Sequence, residues 1–271
     1  MFFWYNHSGD IQMDRKIIFF DIDGTLFDHV TGRVLPSTIK ALQELKKNPN
    51  IEIAIASGRA IYDMYTIDNI KEYFDTFVTI NGQIIIHNNG IIYANYLKME
   101  DLRKMKDIFH DLNMIYGLVG TTKSTISETN DFVKSCFDNV RMTLPEINPS
   151  LDKEEGIAMA WAFASDDEIK GLEKLLPDFS CVSWKINGCD IFPKEVSKAS
   201  SVLWYAYKNG YKKEDIYAFG DGENDIEMIS SVGVGIAMGN ATESTKKNAK
   251  YVTDSSDKDG IYNALKHFKL I

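Results

Sequence analysis

Asp21 and Asp23 stand two residues apart in the string Asp21-Ile22-Asp23-Gly24-Thr25, directly after the apolar run Lys16 to Phe20. Taken alone, the string reads as an Asp-rich turn in which glycine supplies a positive φ. The pair has a second capacity. A carboxylate can attack phosphorus and form an acyl phosphate, which splits one difficult hydrolysis into two easier steps. A phosphate dianion repels that carboxylate, so the attack calls for a divalent cation. Asp21 and Asp221 are hard oxygen ligands of the kind Mg²⁺ takes. A cation at that point favours the ionised form of Asp21. Asp23 is then available to protonate the leaving alkoxide and afterwards to take a proton from water.

Three further residues suit a phosphate group. The Ser57 hydroxyl and the backbone N–H groups around Gly58, at an expected helix start, match phosphate oxygens. Lys198 offers a point charge against the transferring group. In isolation Ser57-Gly58 is an ordinary helix cap and Lys198 an ordinary solvated lysine. Gly220-Asp221-Gly222-Glu223-Asn224-Asp225 packs three acids and an amide into one turn. The turn could simply cap the next helix. It is not a calcium loop, because no glutamate follows at the twelfth position.

Such residues can meet only if the elements before them converge. Lys16 to Phe20 and Ile51 to Ala56 read as buried strands, as do Phe77 to Ile80, Ile216 to Phe219 and Gly235 to Met238. Helices are expected from Ser37 as N-cap through Leu45, over Ala60 to Ile70, over Lys198 to Asn209, and around Leu265. Strands alternating with helices imply βαβ units and a parallel sheet. Each polar string lies at the carboxyl end of a strand, the edge where open α/β sheets bind ligands.

The middle of the chain has another pattern. Gln83 to Ala94 holds two β runs around Asn88-Asn89-Gly90, a hairpin signal. Leu102, Met105, Ile108, Phe109 and Leu112 mark a helix. Strands over Gly156 to Ala164 and Phe179 to Ile186 flank a helix near Asp167 to Leu176, and Met142 to Glu155 reads as an exposed loop. This is an inserted α+β unit over 83–188, within a core built from 13–82 and 189–271. Met1 to Gln12 reads as a loose extension, with Met13 as a candidate start.

With these motifs in order, the sequence resembles the haloacid dehalogenase superfamily in its Cof-type branch. The matching strings are Asp21-Ile22-Asp23-Gly24-Thr25, Ser57-Gly58-Arg59, Lys198, Gly220-Asp221 through Asn224-Asp225, and Met238-Gly239-Asn240-Ala241. The resemblance runs from Met13 to Ile271. It implies a three-layer Rossmann-like core with the insertion as an α/β cap, Asp21 as nucleophile and Asp23 as acid and base. It implies Mg²⁺ held by the Asp21 carboxylate, the Asp23 carbonyl and Asp221. Phosphate contacts would come from the Ile22 backbone, Ser57, Gly58, Lys198 and Asn224, with Thr25 and Asp225 in support. Arg59, Asn81 and Asp190 are candidate contacts for a polar substrate. Trp161 and Trp184 read as core aromatics. Cof-type chains often carry a glycine shortly before the motif lysine. Pro193-Lys194-Glu195-Val196-Ser197 has none, which implies a local loop change without loss of activity.

The implied activity is Mg²⁺-dependent hydrolysis of a small phosphorylated metabolite, a sugar phosphate first. Two rivals stay open. A phosphosugar mutase of the same superfamily would return the phosphoryl group to a sugar hydroxyl. A catalytically silent binding protein would keep the scaffold alone. Carbon–halogen hydrolysis needs neither Asp23 nor Asp221. A net charge of −9 disfavours nucleic acid and anionic membranes as partners. No apolar run reaches the ~18 residues of a membrane span. Three cysteines, an odd number with no C-x-x-C pair, fit reduced thiols in the cytoplasm. Oligomeric state is not legible.

Overall fold

The computed structural model describes residues 15–184 and 187–271, so the Met1 to Gln12 extension and the Ile186 end of one expected strand lie outside the described residues. Two sheets organise the chain. The larger has the strand order Tyr251–Val252, Val234–Ala237, Ile216–Gly220, Lys16–Phe20, Ile51–Ala56, Thr76–Thr79, Ile84–His87 and Gly90–Ala94. The first six run parallel and the last two are antiparallel. Lys16–Phe20 lies between Ile216–Gly220 and Ile51–Ala56, with both faces covered, which is why KIIFF shows no alternation.

Helices sandwich this sheet. Leu42 and Leu45 of Pro36–Lys46 and Leu265 of Gly260–His267 pack with Ile18, Phe20 and Phe219. On the other face Val202 and Tyr205 of Lys198–Lys208 and Met228 of Ile226–Ser231 pack with Ile17, Phe19 and Ala54. The result is the three-layer α/β core expected from the strand and helix alternation.

The second sheet has the order Glu146–Ile147, Ser124–Ile126, Ile115–Gly120, Ile157–Phe163, Cys189–Pro193 and Phe179–Ser183. Helices Met99–Asp111 and Asp166–Leu175 cover one face through Leu102, Met105, Phe109, Ile169 and Leu172. The opposite face carries Val119, Met159 and Trp161 toward the core edge, in one cluster with Ala60 and Ile80.

Several boundaries differ from the sequence reading. The hairpin over 84–94 extends the core sheet, and Cys189–Pro193 pairs inside the second sheet. Periodicity marks a strand but not the sheet that recruits it, so the crossings fall near 95–98 and 194–197 rather than at 83 and 188. The expected helix over Ala60 to Ile70 is instead a string of 3₁₀ turns, Ile61–Asp63, Tyr65–Ile67 and Lys71–Tyr73. The Asp63 carbonyl there is taken by Arg59 Nη1 at 3.3 Å, which diverts it from a helical ladder. Leu35, not Ser37, caps the first helix, with Pro36 at its first position, and Ser37 Oγ instead bonds Asp259 at 2.5 Å. The Met142 to Glu155 stretch contributes the short strand Glu146–Ile147 and buries Leu151 completely.

Both crossings are held by one side chain. Gln83 Oε1 accepts from Asn95 Nδ2 at 2.8 Å, and its Nε2 donates to the Val196 carbonyl at 2.9 Å. Gln83 is fully buried, and the Asn95 amide also bonds its carbonyl at 2.7 Å.

Candidate active site

The strand Lys16–Phe20 ends on Asp21, and the adjacent strand Ile216–Gly220 ends on Asp221. In-register pairing of Phe20 with Phe219 sets the two turns side by side although 200 positions separate them in sequence. Oxygens of Asp21, Asp221 and Asp225 lie within 4.8 Å of one another. Lys198, at the start of its helix and 2 % exposed, donates to Asp21 Oδ1 at 2.8 Å and to Asp225 Oδ1 at 2.7 Å. Asp225 Oδ2 accepts the amides of Asp221 and Gly222, each at 3.0 Å. Asp225 thus holds both the lysine and the turn that presents Asp221, while Thr25 Oγ1 donates to Asp221 Oδ1 at 3.3 Å.

In the sequence Asn240 stands out only as part of the Met238-Gly239-Asn240-Ala241 string. Here its Nδ2 donates to the Gly24 carbonyl at 2.8 Å and lies 3.3 Å from Asp221 Oδ2, and its Oδ1 accepts the Ser256 amide at 2.9 Å. The only advance signal was its place after the strand Val234–Ala237. Gly24 has φ +81°, and a Cβ there would sit 2.3 Å from Asp221 Oδ2. Gly24→Ala is therefore expected to push Asp221 away and to cost about 1–3 kcal/mol from the left-handed backbone alone. Denaturant unfolding and a Mg²⁺ titration check this, the second showing a loss of affinity of about tenfold or more.

The electrostatics follow from three carboxylates sharing one lysine. Burial, followed by the neighbouring Asp225, raises the Asp21 carboxyl well above the usual range, against the pull of Lys198. Burial and Asp225 likewise push Asp221 up to about 7. Lys198 stays charged despite burial, because Asp21 and Asp225 raise it above the ordinary lysine value. A cation beside Asp21 and Asp221 would reverse both carboxyl shifts. The donor set is all hard oxygen, and the glycine leaves room for the approach, so the residues fit Mg²⁺.

Asp23 meets Arg59 in a bidentate pair, Nε to Oδ2 at 2.6 Å and Nη2 to Oδ1 at 2.9 Å. Arg59 also donates to the carbonyls of Asp63, Arg141 and Val140 at 3.3, 3.4 and 2.8 Å. Those five contacts match the five N–H groups of a guanidinium, leaving none for a substrate hydroxyl. Arg59 nonetheless lines the cleft, so a contact from it to a polar substrate would require one of these bonds to be exchanged.

Ser57 and Gly58 follow the strand Ile51–Ala56 and line the same cleft. No α-helix begins there, so the amides act without an aligned helix behind them. Ser57 Oγ accepts the Arg59 amide at 3.1 Å, which leaves its hydroxyl hydrogen to donate. Ile22, between the cleft-lining Asp21 and Asp23, is fully buried. Asn224 lines the cleft beside Asp221.

The cleft measures about 920 Å³ and lies between the two sheets. Its roof includes Val119, Met159, Trp161 and Trp184 of the inserted unit. Trp161, at 2 % exposure, packs edge-on against Phe137 and Trp184, so it is a core aromatic that also borders the cleft. Asp190 joins the two units: its Oδ2 accepts from Asn81 Nδ2 at 2.7 Å and its Oδ1 from Trp184 Nε1 at 2.9 Å. Ile80 and Asn81 both take φ 52°, a rare conformation for a β-branched residue, and this turn aims the amide at Asp190. Burial raises Asp190 to about 6, against its bonds from Trp184 and Asn81.

The sequence model of haloacid dehalogenase-like hydrolases matches residues 18–265. The chain belongs to that family. "Putative phosphatase YkrA" of Bacillus subtilis is 32 % identical over 262 residues, covering 96 % of this chain and 100 % of that one. The BT1666 phosphatase of Bacteroides thetaiotaomicron superposes with a TM-score of 0.87 at 27 % identity, covering 98 % and 100 % of the two chains. The subclass IIB sugar phosphatase BT4131 gives 0.86 at 29 %, covering 94 % and 100 %. This haloacid dehalogenase-like chain is of Cof type and is a phosphoric monoester hydrolase. Among the described residues no helix is long and apolar enough to cross a membrane.

Proposed function

We propose that the protein hydrolyses a small phosphorylated metabolite, a sugar phosphate first, in a Mg²⁺-dependent reaction through a phosphoaspartate on Asp21. One observation carries the reading: the oxygens of Asp21 and Asp221 meet beside Lys198 on the floor of a covered cleft. Asp21, the Asp23 carbonyl and Asp221 would hold the ion, which supplies charge neutralisation for the approaching phosphate.

The steps follow from the side chains. The Ile22 and Gly58 amides, the Ser57 hydroxyl, Asn224 and Lys198 orient the phosphoryl oxygens. A carboxylate oxygen of Asp21 bonds to phosphorus as the bond to the leaving oxygen breaks, and Asp23 gives that oxygen its proton. Asp23 then takes a proton from water as the water attacks phosphorus. The bond to Asp21 breaks, and inorganic phosphate leaves.

The sugar-phosphate reading rests on the cleft and on the likeness to the sugar phosphatase BT4131. Asp190 lines the cleft, and a lone pair left over from its bonds with Asn81 and Trp184 would accept from a polyol, with the indoles beside it as an apolar face. A relative at 25 % identity, from Bacillus subtilis, is a 5-amino-6-(5-phospho-D-ribitylamino)uracil phosphatase. Asp190→Ala is expected to lower kcat/KM on a sugar phosphate by about 10-fold or more and, because Asn81 and Trp184 lose their acceptor, to lower that on p-nitrophenyl phosphate by a smaller factor. Free thiols at Cys136, Cys181 and Cys189 agree with a cytoplasmic setting.

A panel of phosphorylated metabolites, scored by kcat/KM and by phosphate release, tests the proposal. A positional isomer of a sugar phosphate in place of free phosphate would establish the mutase instead. Silence across the panel with Mg²⁺ present would favour the binding protein.

A further inference from the structure

Arg59 is 8 % exposed, yet it touches three separate parts of the molecule. Its Nε and Nη2 hold both oxygens of Asp23. Its Nη1 reaches the Asp63 carbonyl on the adjoining 3₁₀ turn. Its remaining N–H groups reach the carbonyls of Val140 and Arg141, in the turn that ends the cap helix Asp131–Asn139. The same turn is seated twice more on the core. The Tyr65 hydroxyl donates to the Arg141 carbonyl, and the Arg141 guanidinium lies over the Phe27 ring at 5.4 Å with Nη2 3.5 Å from the His29 carbonyl. Arg141 itself takes φ 51°.

We infer that Arg59 is a positioning residue that links the seating of the cap to the orientation of Asp23. The inference rests on the proposed role of Asp23 as acid and base. If the cap lifts, the Val140 and Arg141 carbonyls withdraw and water enters beside the guanidinium, so two of its N–H groups lose their fixed acceptors and the fork is free to rotate. A rotated fork no longer matches Asp23 with its two parallel bonds, so the carboxyl loses its aim. Proton transfer is therefore ready only when the cap is down and water is excluded.

The test exploits leaving groups. An alkoxide needs a proton as it departs, whereas p-nitrophenolate hardly does. The ratio of kcat/KM on a sugar or alkyl phosphate to that on p-nitrophenyl phosphate therefore reads the acid's contribution up to the first bond cleavage. Arg59→Gln is expected to lower that ratio by about 10²-fold, the low end of a general-acid contribution. Arg59→Lys, charged but without the fork, should recover only part of it. Arg141→Gly tolerates the positive φ and removes only the grip on Phe27 and His29. It should lower the ratio in the same direction, by a smaller factor. Asp23→Asn sets the scale.

If the Arg59 variants lose both activities equally while Asp23→Asn lowers the ratio, the inference is overturned and the proposed function stands. If Asp23→Asn itself leaves the ratio unchanged, the acid role of Asp23 falls. An unchanged ratio in Arg141→Gly overturns the link to the cap. Should Arg59→Gln fail to fold by thermal melting, Arg59→Lys and Arg141→Gly decide the matter.

Discussion

Asp21→Asn is expected to reduce kcat on any phosphate monoester by at least about 10⁴-fold, in keeping with the loss of a covalent nucleophile. The amide keeps the size of the carboxylate and can still accept from Lys198, which reaches Asp21 Oδ1 at 2.8 Å. What it lacks is the anionic oxygen that bonds to phosphorus. Phosphate release measures the loss. Acid-quenched protein should carry a phosphoryl adduct in the parent and none in the variant. Folding should survive, because the amide relieves both the burial of a carboxylate and the repulsion from Asp225 that together raise Asp21. Undiminished turnover in a folded Asp21→Asn protein would refute the nucleophile assignment.

Chelation of Mg²⁺, or Asp221→Asn, should have the second-largest effect, about 10³-fold or more on kcat/KM, comparable to loss of a main transition-state charge stabiliser. The same carboxyl ties stability to pH. Asp221 is raised to about 7, above its value in an unfolded chain. The folded protein therefore binds a proton that the unfolded one has released. Metal-free stability should fall as pH rises from the ordinary carboxylate range through about 7, and recover on acidification. Mg²⁺ must displace that proton, so its thermal stabilisation should be larger at about pH 8 than at about pH 6. Asp190 and Asp63, each raised to about 6, act in the same direction at lower pH. Asp221→Asn should remove only the upper part of the slope. Melting curves with and without Mg²⁺ read all of this. A Mg²⁺ shift independent of pH would contradict it.

The parts legible in the sequence are those set by local pattern. KIIFF and IEIAIA announce buried strands by composition alone, and the Asp21-Ile22-Asp23 and Ser57-Gly58 strings that follow them declare the reactive edge. In-register pairing then brings Asp21 and Asp221 together, as the alternation implied. What could not be read depends on side chains distant in sequence. The diversion of 60–70 from helix into 3₁₀ turns involves Arg59 taking the Asp63 carbonyl. The commitment of Arg59 to Asp23 requires cap carbonyls some 80 positions away, a contact without periodicity or motif. Asn240 carried a signal by position but none of function, since its role is to hold the Gly24 carbonyl beside Asp221. The hairpin over 84–94 was recognised as a hairpin, yet its allegiance to the core sheet was decided by pairing with Thr76–Thr79.

The Gln83 clasp has a mechanical consequence. Because one amide side chain binds both chain crossings, any rotation of the second sheet against the first would turn about a single pin instead of two loose tethers. Lys198 begins its helix two residues after Val196, so the pivot end of the door is fixed to the catalytic floor. The segment between the crossings therefore behaves as an exchangeable cassette: its pocket-facing surface can be rebuilt for another leaving group while the floor beneath it keeps its alignment.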